Sequence, residues 1–564
     1  MWRGCVCGLL AAALAGASGL AQLKIENIEL GFNGRFFPGT FTPIAVTLSS
    51  AATAQNFTLE VSQEIREFTE RRAVERLRVP VSLAAGARKV ISFDFPIYSV
   101  STPLQLRLMN GPQELARSTI EVRELWSETP LVLGVAVAPR PSLGLIDVEK
   151  LPKRWSSYDG VRRILWGRAD PARLSTEQRR ALQGWLVRGG ELVILSGANW
   201  YEQFSPQAWW AQLLPITGGR VVRSEFNGQE VLWLEGDLRA GARVTLTYQG
   251  RPLAWERPIG NGTVVLVAIA TLPEDLELSE LSSRQTVEDD LVIVRALGAL
   301  PVPFPSRELI GVLLILFVLG VGLSGMFVER WKKLPLGVGL LALILSGVLF
   351  SYQRSPEFSS EKYSLDIGVI QSWSGGAVAW ERSWYGVFFR RSREEQLLGS
   401  AEMVSTLKPS RQALRSEGEI VRELALGGDW QLRFYGERDS VSFFKTERLM
   451  EPFVHFSLND SRLWVSNRAS VVLQDVIAYS GDALYQLGTI PAQTELVRPL
   501  TERVSKTEWV NTLTSERRRI WQQWGNISSR TGLIGWIEDI NISSLRLALG
   551  ESRTVLRLVL VEGD

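Results

Sequence analysis

Apolar and polar residues alternate along the N-terminal part of the chain, which is the period of a β-strand with one buried face. The segments KIENIELGF, TPIAVTLSS, NFTLEVSQ and PLQLRLMN show this spacing, and turn-forming sequences such as FNGRFFPG and LAAGARK separate them. Short strands at regular intervals are typical of a β-sandwich. We therefore predict an immunoglobulin-like β-sandwich domain over residues 22–127.

The pattern changes after residue 128. LVLGVAVA is a continuous apolar run, as in a strand buried on both faces. YDGVRRILWG reads as a second strand, and LSTEQRRALQGWLVRGG has helical spacing, with Ser175 and Gln178 placed to cap its start and Gly189 placed to end it. The strand ELVILSG follows directly. This order predicts a strand–helix–strand unit with parallel strands, within a domain spanning residues 128–304.

Two uncharged apolar runs, residues 309–328 and 334–353, lie in the middle of the chain. Each is long enough as a helix to cross the hydrocarbon core of a bilayer, which is about 30 Å thick. The short basic segment ERWKK between them is expected on the cytoplasmic side. Residues 1–21 have the charged start, apolar run and small residues of a secretory signal peptide. Together these features predict a transmembrane hairpin over residues 305–354, with both flanking regions on the outer side.

Residues 355–564 return to alternating spacing, for example in YSLDIGVIQSW, DWQLRFYG and WVSNRASVVLQDVIAYS. This pattern predicts a β-rich region of one or two subdomains. The expected fold class is therefore multidomain, α/β plus all-β.

The numbers of cysteines and histidines restrict which catalytic and metal sites the chain can form. Cys5 and Cys7 are the only cysteines and lie within the expected signal peptide, and His455 is the only histidine. Disulfides, thiolate nucleophiles and cysteine-rich zinc sites are then excluded from the mature chain. With one histidine, a Ser–His–Asp triad and multi-histidine metal sites are excluded unless a partner chain completes them. The formal net charge of +2 gives no indication of nucleic-acid binding.

The stretch YDGVRRILWG…LSTEQRRALQGWLVRGGELVILSG…RPLAWERPIGNGTVVLVAIA resembles the class I glutamine amidotransferase-like, flavodoxin-like fold. More narrowly, it is similar to the version of that fold found in bacterial membrane proteins with a signal peptide and β-rich outer domains. The resemblance implies an integral protein of the bacterial inner membrane with extracytoplasmic N- and C-terminal domains. The enzymes of that family need a reactive Cys and His. This sequence has neither residue between positions 130 and 300.

Three residues are candidate ligand-contact positions. Ser196 and Asn199 follow the strand ELVILSG, and Asp159 lies at the turn before YDGVRRILWG. We predict no catalytic residue, no cofactor and no metal site.

Three functions remain open from the sequence. The first is a non-catalytic, membrane-anchored envelope protein that acts as scaffold, sensor or assembly partner, with the lipid bilayer and another envelope or membrane protein as partners. The second is an auxiliary subunit of a membrane export or transport system. The third is a hydrolase of envelope carbohydrate that uses two carboxylates in one cleft.

Overall fold

The computed structural model describes a large part of the chain between residues 23 and 562. The described residues are 23–50, 55–66, 72–140, 143–196, 200–205, 208–271, 315, 362–373, 376–389, 392–399, 403–407, 419–424, 430–436, 440–459, 462–481, 483–500, 503–514, 517–518, 521, 531–538, 545–547 and 552–562.

The N-terminal part is built from strands. They are β1 (Leu23–Leu30), β2 (Phe41–Ser50), β3 (Gln55–Arg66), β4 (Arg72–Leu83), β5 (Arg88–Pro96), β6 (Leu104–Asn110) and β7 (Gln113–Ile120).

The middle part mixes strands with short helices. Its elements are β8 (Leu131–Val135), β9 (Gly144–Ile146), β10 (Val161–Trp166), α1 (Thr176–Arg188), β11 (Glu191–Leu195), α2 (Trp200–Gln203), β12 (Ile216–Phe226), β13 (Gln229–Leu238), β14 (Arg243–Tyr248), β15 (Arg251–Ile259) and β16 (Gly262–Val267), with 3-10 turns at Val148–Lys150, Trp155–Tyr158 and Pro171–Arg173.

The C-terminal part is again made of strands, with one short helix. Its elements are β17 (Lys362–Trp373), β18 (Ala379–Phe389), β19 (Arg393–Gly399), β20 (Met403–Leu407), β21 (Glu419–Leu424), β22 (Trp430–Gly436), β23 (Ser440–Met450), β24 (Val454–Asn459), β25 (Arg462–Asn467), β26 (Leu473–Ser480), β27 (Ala483–Ile490), β28 (Thr494–Pro499), β29 (Arg503–Val504), α3 (Lys506–Thr512), β30 (Gly532–Ile537), β31 (Leu545–Leu547) and β32 (Ser552–Glu562).

Two sheets enclose the N-terminal core. One has the order β1-β2-β5, and the other has the order β31-β19-β22-β21-β4-β3-β6-β7. The apolar residues that alternate in the sequence are the buried residues of the strands, as in β6, where buried and partly exposed positions alternate. The second sheet extends into the C-terminal part of the chain, because β21 pairs in parallel with β4. N-terminal and C-terminal segments therefore share backbone hydrogen bonds.

The middle part contains a seven-stranded sheet with the order β14-β15-β16-β11-β10-β8-β9. β8, β10, β11 and β16 run parallel, and α1 connects β10 to β11. The predicted strand–helix–strand unit is thus confirmed. Ser175 and Gln178 form the predicted reciprocal cap of α1, and Gly189 ends the helix with a φ of +139°. Gly190 also has a packing role, because a Cβ there would collide with the Trp185 ring.

The predicted fold class is nevertheless wrong. Strands take up 62% of the structure and helical residues 11%, so the described part of the chain is mostly β and does not support an α/β amidotransferase-like domain joined to a helical hairpin. The middle sheet also lacks the regular succession of helices that the resemblance implied. After β11 the described chain forms one short helix, the hairpin of β12 and β13, and the antiparallel strands β14 and β15. The bounds of the predicted domains stay a prediction.

The predicted transmembrane hairpin and inner-membrane localisation are likewise corrected. In the described part of the chain, no helix combines the length and the apolar character needed to cross a bilayer. The two runs that carried the prediction, residues 309–328 and 334–353, lie outside the described residues except for Ile315, as do residues 1–21.

The largest sheet belongs to the C-terminal part and has the order β20-β23-β18-β17-β32-β30-β26-β27-β29. One face packs on an apolar cluster that includes Trp384, Trp509 and Trp536. The opposite face carries two further clusters, one around Val559 and one around Tyr385. β24, β25 and β28 form a separate three-stranded sheet beside it.

Candidate functional site

The predicted strand-end position, Ser196, forms internal hydrogen bonds and is not open to a ligand. Its side chain is buried, its Oγ donates a hydrogen bond to the Val267 carbonyl at 2.6 Å, and its backbone N–H donates to the same carbonyl at 3.1 Å. The hydroxyl therefore ties the end of β11 to the end of β16. Asn199, the second predicted position, lies outside the described residues.

The crevice where open parallel sheets usually bind ligands is closed in this chain. That crevice lies at the carboxyl ends of the strands where the strand order reverses, which here is between β8 and β10. The backbone N–H groups of Gly167 and Arg168 donate to the carbonyls of Val135 and Ala136, at 2.9 and 3.1 Å. Because a Cβ at Gly167 would collide with the Ala136 carbonyl, the two chains touch backbone to backbone.

The third predicted position, Asp159, joins two parts of the structure. Its Oδ2 accepts a hydrogen bond from the Phe41 N–H on β2 at 2.9 Å, and its Oδ1 pairs with the Nη1 atom of Arg188 at the end of α1. The Asp159 carboxylate is buried. The turn that precedes β10 is thereby fixed to both the N-terminal sheet and the helix.

Arg188 extends this link to the C-terminal part. Its Nε lies 2.8 Å from Oε2 of Glu447 on β23, and its Nη2 lies 3.3 Å from Oε1. Glu447 also accepts a hydrogen bond from the Trp380 indole at 3.1 Å and pairs with the Lys445 ammonium group at 3.4 Å. We call Asp159, Arg188 and Glu447 the three-sheet junction, since they connect β2 with the middle sheet and the nine-stranded sheet.

Close packing surrounds the three-sheet junction. Gly184 of α1 faces Leu449 of β23 so closely that a Cβ would collide with the leucine side chain. Asn261, in the turn between β15 and β16, donates to Oε1 of Gln371 on β17 at 3.2 Å. The middle sheet and the nine-stranded sheet therefore meet through a helix face and a turn.

A second set of contacts fixes the N-terminal sheet to the middle part. Asp94 on β5 accepts hydrogen bonds from the hydroxyls of Ser156 and Ser157, both at 2.6 Å, and lies 3.4 Å from Nε of Arg154. The glycine-containing turn after β1 contributes an apolar link, because Phe32 belongs to the middle core and Phe36 to the N-terminal core.

The nine-stranded sheet contains a fully buried charged group, which we call the Arg557 cluster. Nε of Arg557 lies 2.8 Å from Oε1 of Glu381, and its Nη2 lies 2.9 Å from Oδ2 of Asp366. Arg448 pairs with the other oxygen of Glu381. Burial lowers the pKa of Arg557, but the two carboxylates outweigh that effect and raise the pKa above its usual value. The guanidinium therefore stays charged, and the cluster is an internal ion network with no exposed reactive group.

The only histidine does not assemble a catalytic triad. His455 on β24 pairs with Ser466 on β25, which in turn pairs with Glu495 on β28. The Ser466 hydroxyl donates to Glu495 at 3.4 Å, so the carboxylate contacts the serine and not the imidazole. Burial, and after it the charge of Arg468, lower the pKa of His455. Among the described residues, no group of three or more His, Cys, Asp or Glu side chains is arranged to hold a metal ion.

Sequence reasoning missed the main charged residues of the structure. Arg188 was visible only as a basic residue in the last helical turn, where it also suits the helix dipole. Glu381 lies in the strand sequence AWERSW, whose charged positions suggest an exposed face, yet every residue of β18 is buried. No local signal pairs Arg188 with Glu447 or Glu381 with Arg557, because the partners are far apart in the chain.

Comparison with known proteins gives one family match. Residues 23–123 match the model of a family described as a domain of unknown function (DUF8726). That segment holds the seven N-terminal strands. No curated protein matches the chain.

Solved structures overlap with the chain at low similarity. A cytoplasmic protein from Salmonella typhimurium LT2 shows 9% identity and a TM-score of 0.19, over 25% of this chain and 89% of that one. The yeast delta-COP-I mu-homology domain shows 8% identity and a TM-score of 0.20, over 36% and 96%. A β-glucosidase from Listeria innocua shows 13% identity and a TM-score of 0.15, over 18% and 16%. These TM-scores carry no inference about fold or function.

Proposed function

We propose that this protein is a non-catalytic scaffold or assembly partner whose three main parts act as one rigid body. The observation that carries the proposal is the three-sheet junction. Arg188 pairs with two buried carboxylates, one from the turn beside the N-terminal sheet and one from the nine-stranded sheet. Such an arrangement sets the relative orientation of binding surfaces, which is what a scaffold needs.

The internal hydrogen bonds and ion pairs of the predicted site residues also favour a binding role over catalysis. The Ser196 hydroxyl is used by a backbone carbonyl, and Asp159 is used by Phe41 and Arg188. A carboxylate-dependent hydrolase would need one acid held neutral and one acid free to act. Asp366 and Glu381 are instead both bound to Arg557, so neither is available to a substrate.

Crosslinking in the source organism, followed by purification of the full chain, tests the proposal. We expect a partner at fixed stoichiometry that rebinds the purified protein. Ser196→Ala should bind the partner as the native chain does. Arg188→Ala should bind it at least about tenfold more weakly, because the orientation of the sheets is relaxed.

Arg223→Ala is the matched control, since Arg223 pairs with Glu230 on the surface, where both side chains are exposed. Circular dichroism of each variant checks that the strands are retained. Recovery of the chain alone at every crosslinker length would overturn the scaffold role, as would binding that depends on Ser196 but not on Arg188.

A further inference from the structure

Strand β28 is an edge strand of its sheet within the part of the chain that the structure describes. In the three-stranded sheet, β25 occupies the centre, and within the described residues no strand pairs with the far side of β28. Natural edge strands are usually protected by bulges, charges, proline or shortness. β28 carries the charges of Glu495 and Arg498 and ends at Pro499, but it has no bulge. β1 has a bulge between Ile25 and Asn27, and β14 is irregular on either side of Leu246. β28 pairs with β25 in unbroken register over all six of its residues.

β28 carries an exposed apolar side chain at its fourth position, Val497. Val497 is 64% exposed, the highest value among the large hydrophobic residues of the described chain. Its neighbour across the ladder is Trp464, which is half-buried. An exposed valine beside a tryptophan on a regular edge favours a contact that covers both.

Charges on the same face are arranged for self-pairing. Glu495 and Pro499 lie two positions on either side of Val497, and the register places Arg462 of β25 beside Pro499. Arg462 is exposed at the start of β25. The face thus carries an acid at one end, an apolar row in the middle and a base at the other end.

We propose that β28 is a self-association edge, and that it pairs antiparallel with β28 of a second copy of this chain. A two-fold axis normal to the sheet passes beside Val497, because only such an axis joins two identical edges antiparallel with their faces on the same side. Val497 then lies opposite Val497 of the second copy, and the row Trp464–Val497 continues into its symmetry mate. Glu495 lies opposite Pro499 of the second copy.

This register also brings opposite charges together. Arg462 of the second copy lies one strand beyond its Pro499, about 10 Å from Glu495 between Cα atoms. An extended arginine reaches across the small proline ring at that distance. Symmetry repeats the pair on the other side of the axis. Pro499 lies at the strand end, where each copy removes at most the terminal hydrogen bond at its own end of the new ladder. The pairing needs no other partner and is independent of the scaffold role.

Sedimentation equilibrium of the full chain over a concentration series tests the association. We expect a monomer–dimer equilibrium that is populated at or below about 100 µM. Val497→Lys places two like charges on the axis and should weaken dimerisation by at least about tenfold. Val472→Lys is the matched control, because Val472 is 41% exposed but precedes β26 and is not on the β28 edge. A chain that stays monomeric, or equal effects of the two variants, would overturn the proposal.

Engineered cysteines test the register, in a chain carrying Cys5→Ser and Cys7→Ser. Val497→Cys should form a disulfide-linked dimer on mild oxidation, since directly opposite Cα atoms are about 4.5–5.5 Å apart. Glu495→Cys alone and Pro499→Cys alone should not crosslink, whereas a mixture of those two variants should. A crosslink from Glu495→Cys alone, or none from Val497→Cys, contradicts the pairing.

Discussion

Arg188 in the last turn of α1 and Glu447 on β23 form an ion pair that joins the middle part to the nine-stranded sheet, with Nε 2.8 Å from Oε2. Glu447 is almost fully buried, whereas the Arg188 side chain is 21% exposed. Arg188 also pairs with Asp159. One guanidinium therefore neutralises two buried carboxylates that come from different parts of the fold.

Replacing Arg188 with Ala should lower the free energy of unfolding by about 3 kcal/mol, because both carboxylates lose their shared cation while staying buried. Urea unfolding followed by tryptophan fluorescence measures the change. Arg223→Ala removes an exposed pair and should cost less than about 1 kcal/mol. Equal losses for the two variants would show that the three-sheet junction contributes no more than a surface ion pair.

For the Arg557 cluster we expect that removing the arginine destabilises the fold and that removing its carboxylate partners as well restores stability. Arg557→Met should cost about 3–5 kcal/mol, since Asp366 and Glu381 lose the cation that they share in the interior. The triple variant Arg557→Met, Asp366→Leu and Glu381→Met should recover most of that loss, because Arg448 is partly exposed and can reach water. Chemical denaturation of the single and triple variants decides the point. A triple variant less stable than Arg557→Met would mean that the carboxylates are not the source of the cost.

Glu191 should give stability a pH dependence of definite sign. Burial raises the pKa of its carboxyl above 4.5 despite the opposing charge of Arg163. A carboxyl whose pKa is higher in the folded state favours folding more as it becomes protonated. Relative to Glu191→Gln, the native chain should therefore gain stability as the pH falls through the folded-state pKa towards 4.5, with no further gain below that. Unfolding measured at a series of pH values tests this, and a difference that falls on acidification refutes it.

His455 should titrate below its ordinary pKa of 6.5. Because it is the only histidine, a single imidazole signal in the proton NMR spectrum reports it without assignment. With a lowered pKa in the folded state, the imidazole becomes protonated in the unfolded state at a higher pH than in the folded state. The free energy of unfolding therefore decreases as the pH falls below 6.5. His455→Gln should remove this component. A midpoint at or above 6.5 in the folded protein would contradict the burial of the ring.

The sequence by itself determined the local elements. Alternation located strands such as β6, a capping box and a Gly–Gly stop located α1, and continuous apolar runs located β8 and β11. These features depend on neighbours within a few residues, where backbone geometry and burial are coupled directly.

Only the tertiary structure decided how those elements combine. The parallel pairing of β21 with β4 and the pairing of Arg188 with Glu447 join residues that are far apart in the chain, and no periodicity encodes such a choice. The candidate site changed for the same reason. Ser196 and Asp159 were predicted to contact a ligand because no residue near them in the sequence was an evident hydrogen-bond partner. The closure of the sheets supplied their partners, since buried polar groups must be satisfied by whatever the fold brings near.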